Sequence, residues 1–204
     1  LLLAGCGDQE KRLGGKTLTK KQEPEEETTP VRKPEFLVEQ AHTEEQAIAA
    51  IEKLGGRVTF NGNRTIVHLN LDDTKLIDAG LEYVQGLTNL QFLSLENTDI
   101  TDAVLEHLKV LTELRVLNLW GTKVTDAGIE QLKRLTNLED LNLGFTDVTN
   151  VGLEHLKGLT RLEHLDLGYT FASDAGLAHL EGLTHLEDLD LKFTNINDAG
   201  LEHL

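Results

Sequence analysis

The chain has 204 residues, 39% of them hydrophobic, with one cysteine, no methionine and a formal net charge of −16. This length holds one domain of ordinary size plus a tail. The acidity argues against a nucleic-acid ligand, because duplex binding uses lysines and arginines to release the counterions on phosphates, and against unassisted docking on an anionic membrane. One cysteine allows no internal disulfide, so a packed core must supply the stability. No apolar run reaches the roughly 20 residues that a membrane-spanning helix needs. With no methionine even at position 1, the sequence is expected to lack its true N-terminus.

The first six residues, Leu1-Leu2-Leu3-Ala4-Gly5-Cys6, run from apolar to small to cysteine. This is the order found where a secretory signal peptide meets its cleavage site. Leu3-Ala4-Gly5-Cys6 also resembles the lipobox of bacterial lipoproteins: a leucine, a small residue, Gly or Ala, then Cys. That resemblance implies that Cys6 begins the mature protein and carries acyl chains. One chain anchors only marginally at about 0.8 kcal/mol per buried CH₂, whereas two or three hold stably. The same residues fit the end of an ordinary signal peptide with an incidental cysteine.

Residues 7–36 are rich in Lys, Glu, Thr and Gly and contain all three prolines, Pro24, Pro30 and Pro34. Such a segment cannot bury enough apolar surface to offset its ordering entropy, and a disordered linker is expected. As a flexible coil its ends would stand roughly 30 Å apart. Gly15-Lys16-Thr17 lacks the glycine five residues earlier that a phosphate-binding loop requires, since position 10 is Glu.

Over 37–65 the pattern predicts an N-terminal cap. Thr43-Glu44-Glu45-Gln46 forms a capping box, and Ala47, Ile48, Ala50, Ile51 and Leu54 follow at helical spacing. Gly55-Gly56 supplies a stop. Arg57 to Phe60 reads as a strand, followed by a turn at Asn61-Gly62-Asn63. This helix and strand would shield the first layer of a repeat stack from water.

From Ile66 the chain repeats every 24 residues in six copies, the last cut short. The frame Leu90-x-x-Leu93-x-Leu95-x-x-Thr98-x-Ile100 returns at Leu114, Leu138, Leu162 and Leu186, and begins at Ile66. It resembles the leucine-rich repeat, whose pattern is LxxLxLxx(N/C)xL, over residues 66–204, with Thr in place of Asn or Cys. The hydroxyl of this Thr can bond the turn backbone as the amide does, with fewer partners. The resemblance implies an α/β solenoid, a right-handed arc with short parallel strands on the concave face and helices on the convex face. Each layer would bury about four to six aliphatic side chains.

The second half of each unit, Thr-Asp-Ala-Gly-Leu-Glu-x-Leu, is similar to the cysteine-containing repeats of ubiquitin-ligase F-box proteins and to bacterial relatives of those repeats. No F-box precedes it, so that function is not implied. Asp102, Asp126, Asp174 and Asp198 are expected to cap the helices. Gly80, Gly128, Gly152, Gly176 and Gly200 share a column with Val104. A β-branched residue is an outlier at positive φ, so these glycines are expected to serve close packing. His107, His155, His179 and His203 recur at one helical position and are expected to face solvent.

Alternation along the strands predicts four outward columns. The first is His68, Phe92, Val116, Asp140, His164, Asp188. The second is Asn70, Ser94, Asn118, Asn142, Asp166, Asp190. The third is Asp72, Glu96, Trp120, Gly144, Gly168, Lys192. The fourth is Asp73, Asn97, Gly121, Phe145, Tyr169, Phe193. Phe145, Tyr169 and Phe193 stand on consecutive strands beside Trp120, and an exposed aromatic patch of this kind marks an interaction site. The expected ligand-binding set is Phe92, Trp120, Phe145, Tyr169, Phe193, Asp166 and Asp190. Stacking of these rings on one another is the competing reading. Phe171 is expected to fill the space left by Ala172. His164 with Asp140, Asp166 and Asp188 has the composition of a metal site, but acidic solvated columns are commoner, and no metal or cofactor is assigned. No catalytic motif is present. The sequence therefore points to a non-catalytic module in the cell envelope, lipid-anchored through Cys6 and recognising a protein or glycan. A structural or scaffolding array, or the recognition arm of a larger protein, is the alternative.

Overall fold

The computed structural model describes residues 44–78 and 81–204. The chain divides into two units, Leu1–Leu37 and Val38–Leu204. Cys6, the linker over 7–36, the Thr43 end of the capping box and Gly80 lie outside the described residues.

One seven-stranded sheet runs in chain order. Its strands are β1 (Arg57–Phe60), β2 (Ile66–Asn70), β3 (Phe92–Ser94), β4 (Val116–Asn118), β5 (Asp140–Asn142), β6 (His164–Asp166) and β7 (Asp188–Asp190). From β2 onward every pair is parallel, and each residue faces the one 24 positions later: Leu93 pairs with Leu117, Leu117 with Leu141, Leu141 with Leu165. The sequence period thus becomes the strand register. Between strands stand α2 (Asp102–Leu108), α3 (Asp126–Leu132), α4 (Asn150–Leu156) and the shorter α5 (Asp174–Leu177). The expected helices shrink to 3-10 turns in the outer repeats, at Glu82–Gly86 and Gly200–His203.

The interior is aliphatic. In one unit Leu114, Leu117, Leu119, Val124, Ile129, Leu132 and Leu135 are all fully buried. That is one more than the four to six aliphatic side chains expected per layer. Each fully buried Leu, Ile or Val contributes about 1.5–3 kcal/mol relative to exposure. Ahead of the repeats, α1 (Glu44–Lys53) buries Ile51, with Ile48 and Leu54 packed against the same core. Gly55, at φ +89°, ends the helix, while Gly56 is needed for space: a Cβ there would lie 2.5 Å from Leu71 Cδ2. β1 pairs antiparallel with β2. In the turn between them the positive φ falls on Arg64, and Asn61 Oδ1 accepts from the N–H groups of Asn63 and Thr65.

Two polar ladders hold the layers in step. The buried Thr hydroxyls donate to a carbonyl three residues back: Thr98 to Leu95 at 2.6 Å, Thr122 to Leu119 at 2.7 Å, Thr146 to Leu143 at 2.6 Å. The second ladder corrects an expectation. The helix N-caps are Thr101, Thr125, Thr149 and Ser173; three of them stand one residue before Asp102, Asp126 and Asp174, the acids expected to cap, and Thr149 stands before Asn150. Asp102 instead reaches the next repeat, where its carboxylate accepts from Thr125 N and Oγ1, both at 2.7 Å. Asp126 does the same to Thr149 and accepts a third bond from Gly152 N at 2.9 Å. Thr125 Oγ1 then accepts a long bond, 3.4 Å, from Ala127 N at the start of its own helix. The position after a cap is therefore a clasp between repeats.

The clasp meets the glycine column, although Asp78 clasps Thr101 in the same way in the repeat where the column holds Val104. None of Gly128, Gly152, Gly176 and Gly200 has positive φ. A Cβ on them would stand 2.4–2.6 Å from an Oδ1 of Asp102, Asp126, Asn150 or Asp174. Asp126→Ala is expected to lower stability by about 2–3 kcal/mol, since three donors lose a charged acceptor. Asp126→Asn should cost less than about 1 kcal/mol, because Asn150 already accepts from Ser173 N in the next repeat. Urea unfolding of both variants checks this pair of outcomes.

Candidate functional site

The expected columns form as rows across the open sheet face. His68, Phe92, Val116, Asp140, His164 and Asp188 pair in sequence. So do Asn70, Ser94, Asn118, Asn142, Asp166 and Asp190. The second row does structural work. Asn118, Asn142, Asp166 and Asp190 each accept from the backbone N–H two residues on, at 2.7–3.0 Å. Ser94 is too short for this. It is buried beneath Asp72, to which its hydroxyl donates, and Asp72 takes the turn's Glu96 N–H at 2.9 Å.

The fourth row is unlike the others in its backbone. Asp73, Asn97, Gly121, Phe145, Tyr169 and Phe193 all lie at φ between 53° and 66°. Asp, Asn and Gly enter this left-handed region readily; bulky residues do so at a cost of about 1–2 kcal/mol each. Yet Phe145, Tyr169 and Phe193 are 57%, 49% and 73% exposed. Three large apolar groups therefore occupy strained positions without filling the core. Sequence reasoning placed these rings together but missed their conformation. The available signal was the same row in the first three repeats, which reads Asp, Asn, Gly.

The rings form a continuous series. Trp120 stacks on Phe145 with centroids 5.5 Å apart, Phe145 meets Tyr169 at 5.7 Å and 58°, and Tyr169 stacks on Phe193 at 4.4 Å. The rings thus stack on one another, as the competing reading expects, and yet remain exposed. Gly144 makes room for the first ring: a Cβ there would stand 2.7 Å from Trp120 Cδ1. Phe92 lies apart, half-buried and stacked on His68 at 3.8 Å.

Beside the rings the face is acidic. Burial pushes the Asp140 carboxyl above the usual carboxylate range; His164 opposes the rise, and Asp166 and Asp188 add to it. Asp190 is held below that range by the bond from Lys192, 2.7 Å away. Among the described residues no group of three or more His, Cys, Asp or Glu is arranged to hold a metal ion.

Two further expectations are corrected. Phe171 does not fill the space beside Ala172; it is 58% exposed, because its side chain alternates outward while Ala172 turns in. The recurring histidines are half-buried rather than solvent-facing. Each stands beside the preceding helix, where His107 contacts Gln85 and His203 Nδ1 lies 2.7 Å from Glu181 Oε1.

Because Trp120 is the sole indole, its emission reports on the start of the ring series. Gly144→Ala is expected to lift the indole off the next repeat and shift its emission to longer wavelength, with the far-ultraviolet dichroism unchanged. An unaltered emission maximum would show that the glycine is not holding the ring in place.

Comparison with known proteins bears on the fold. Leucine-rich-repeat family models match residues 112–170 and 182–204. No curated protein matches the chain. Among solved structures, an internalin from Listeria monocytogenes is 24% identical with a TM-score of 0.53, covering 79% of this chain and 53% of its own. The ectodomain of the Arabidopsis receptor kinase HAESA, in complex with an N-terminally extended IDA peptide hormone, is 18% identical with a TM-score of 0.57, covering 79% and 29%. The ectodomain of the receptor kinase SOBIR1 from Arabidopsis thaliana is 17% identical with a TM-score of 0.54, covering 76% and 94%. This chain spans about half the length of the internalin and under a third of the HAESA ectodomain. At such identities the likeness is one of fold. Together with the 24-residue register and the parallel sheet, these matches show that the chain has the fold of a leucine-rich-repeat solenoid.

Proposed function

We propose that this chain is a non-catalytic recognition module that binds a protein or peptide through Trp120, Phe145, Tyr169 and Phe193, with Phe92, Asp166 and Asp190 beside that surface. One observation carries the reading: Phe145, Tyr169 and Phe193 are exposed and held at positive φ, where Asp, Asn or Gly would sit without strain. Strain retained at an exposed position points to use rather than to stability. Aromatic residues are also common anchors of protein interfaces. The peptide-bound HAESA ectodomain supports a peptide or protein ligand by analogy of fold alone. A glycan fits less well. A sugar ring stacks on a free aromatic face, and here the faces are largely taken by neighbouring rings.

The test exploits the strain. In a Phe145→Asn, Tyr169→Asn, Phe193→Asn variant, relief of about 1–2 kcal/mol per residue opposes the loss of ring contacts worth about 0.5–1.5 kcal/mol each. Stability is therefore expected to stay within about 1 kcal/mol per site of the parent. Capture of a partner from a cell-envelope extract by the parent chain should be lost in the variant. A loss of about 3 kcal/mol or more per site with capture intact would favour the scaffolding alternative.

The second part of the reading concerns location: Cys6, acylated, tethers the module to the extracytoplasmic side of the cell envelope. The Leu3-Ala4-Gly5-Cys6 sequence supports it. Expressed from a reading frame that supplies the upstream signal residues, the protein should fractionate with membranes, and its Cys6→Ser form should not. Membrane retention of the Cys6→Ser form would sink the tether.

A further inference from the structure

We infer that the segment bound at the rings is an extended peptide carrying both apolar and basic side chains. Its apolar groups lie on the exposed rings of Phe145, Tyr169 and Phe193, and its lysines or arginines meet Asp140, Asp166 and Asp188. This rests on the reading of the rings as a binding surface and adds the chemistry of the occupant.

The charge beside the rings selects the partner. β5, β6 and β7, the strands that precede the three rings, present Asp140, Asp166, Asp188 and Asp190 on the open face. The one lysine of that face, Lys192, is engaged with Asp190 at 2.7 Å. Among the described residues no lysine or arginine forms an ion pair with Asp140, Asp166 or Asp188; Lys192, paired with Asp190, also feels the charges of Asp166 and Asp188, and His164 stands between Asp140 and Asp188. Burial is the main cause of the raised titration of Asp140; His164 opposes the rise, and Asp166 and Asp188 add to it. An acidic or neutral partner would desolvate these groups without repayment, whereas a basic one supplies their missing counter-charge.

The rings fix the rest of the chemistry. The rings form one continuous series, stacked at its ends and tilted where Phe145 meets Tyr169, and Phe145, Tyr169 and Phe193 stay 57%, 49% and 73% exposed, so they offer an apolar strip. Asp140 and Asp188 stand in the first row of the face, Asp166 and Asp190 in the second, and the rings lie beyond them at the strand exit. An extended chain lying between the acidic rows and the rings sends alternate side chains to either side. The four ring-bearing repeats span roughly 15 Å at about 4.8 Å per strand, the length of about five extended residues.

The probes are three synthetic octapeptides, alternating Lys-Leu, Glu-Leu and Lys-Ser, titrated into the 204-residue chain at moderate salt and followed by the emission of Trp120. The Lys-Leu peptide should bind about tenfold or more tighter than the other two. A Asp140→Asn, Asp166→Asn, Asp188→Asn variant should weaken it about tenfold; Asn142 shows that an amide serves the turn position. Equal binding of Glu-Leu and Lys-Leu, or parental affinity in the acid-to-amide variant, would overturn the basic-peptide assignment. The ring reading would still stand if the Phe145→Asn, Tyr169→Asn, Phe193→Asn variant lost binding. If that ring variant kept parental affinity for Lys-Leu, the ring reading itself would fall. Failure of all three peptides to bind at millimolar concentration also overturns the assignment, and capture by the ring-bearing parent then decides the surface separately.

Discussion

Every feature of the face depends on a translation of one repeat. Apolar residues at fixed places in the first five 24-residue units are buried almost completely, and their partners in the next unit lie in register across a parallel sheet. A slip of one residue would turn that apolar row toward water. Because the register cannot slip, whatever stands outside the core at one position is copied into a straight row. The aromatic series and the acidic series are both products of this constraint.

Polar groups complete it. Backbone turned out of the sheet needs partners that neither helix nor strand provides. The buried Thr hydroxyls supply them inside a repeat, and the Asp-to-Thr clasps supply them between repeats. A solenoid unit touches only its neighbours, so a bond of the second kind adds to the sheet ladder and the packing that join one repeat to the next. The glycine column follows as its steric complement, since a methyl group there would strike the clasping oxygen.

Much of this was legible beforehand. The strand positions, the inward leucines, the outward rows and the packing role of the glycines follow from a period of 24 and an alternation of two. What was missed has a common cause. Asp102 and Asp126 look like caps by residue type, but whether an acid bonds its own helix or the next one depends on a half-turn of backbone that sequence does not encode locally. Phe171 was assigned to a gap that the chain direction keeps it from reaching. The left-handed conformation of Phe145, Tyr169 and Phe193 is imposed by the neighbouring turns, so their own preferences predict the opposite. Only reading the row across repeats, through Asp73, Asn97 and Gly121, could have revealed it.

That row has a consequence for how such a surface can change over generations. One backbone shape accepts an acid, an amide, a hydrogen, a phenyl and a phenol in turn, at Asp73, Asn97, Gly121, Phe145 and Tyr169, without altering the strands on either side. The penalty for a poorly suited residue there is local and about 1–2 kcal/mol, well short of the stability of a typical domain. The specificity of the face is thereby uncoupled from the integrity of the scaffold. Single substitutions at this position can rewrite what the module recognises one repeat at a time, each tested by selection against an unchanged frame.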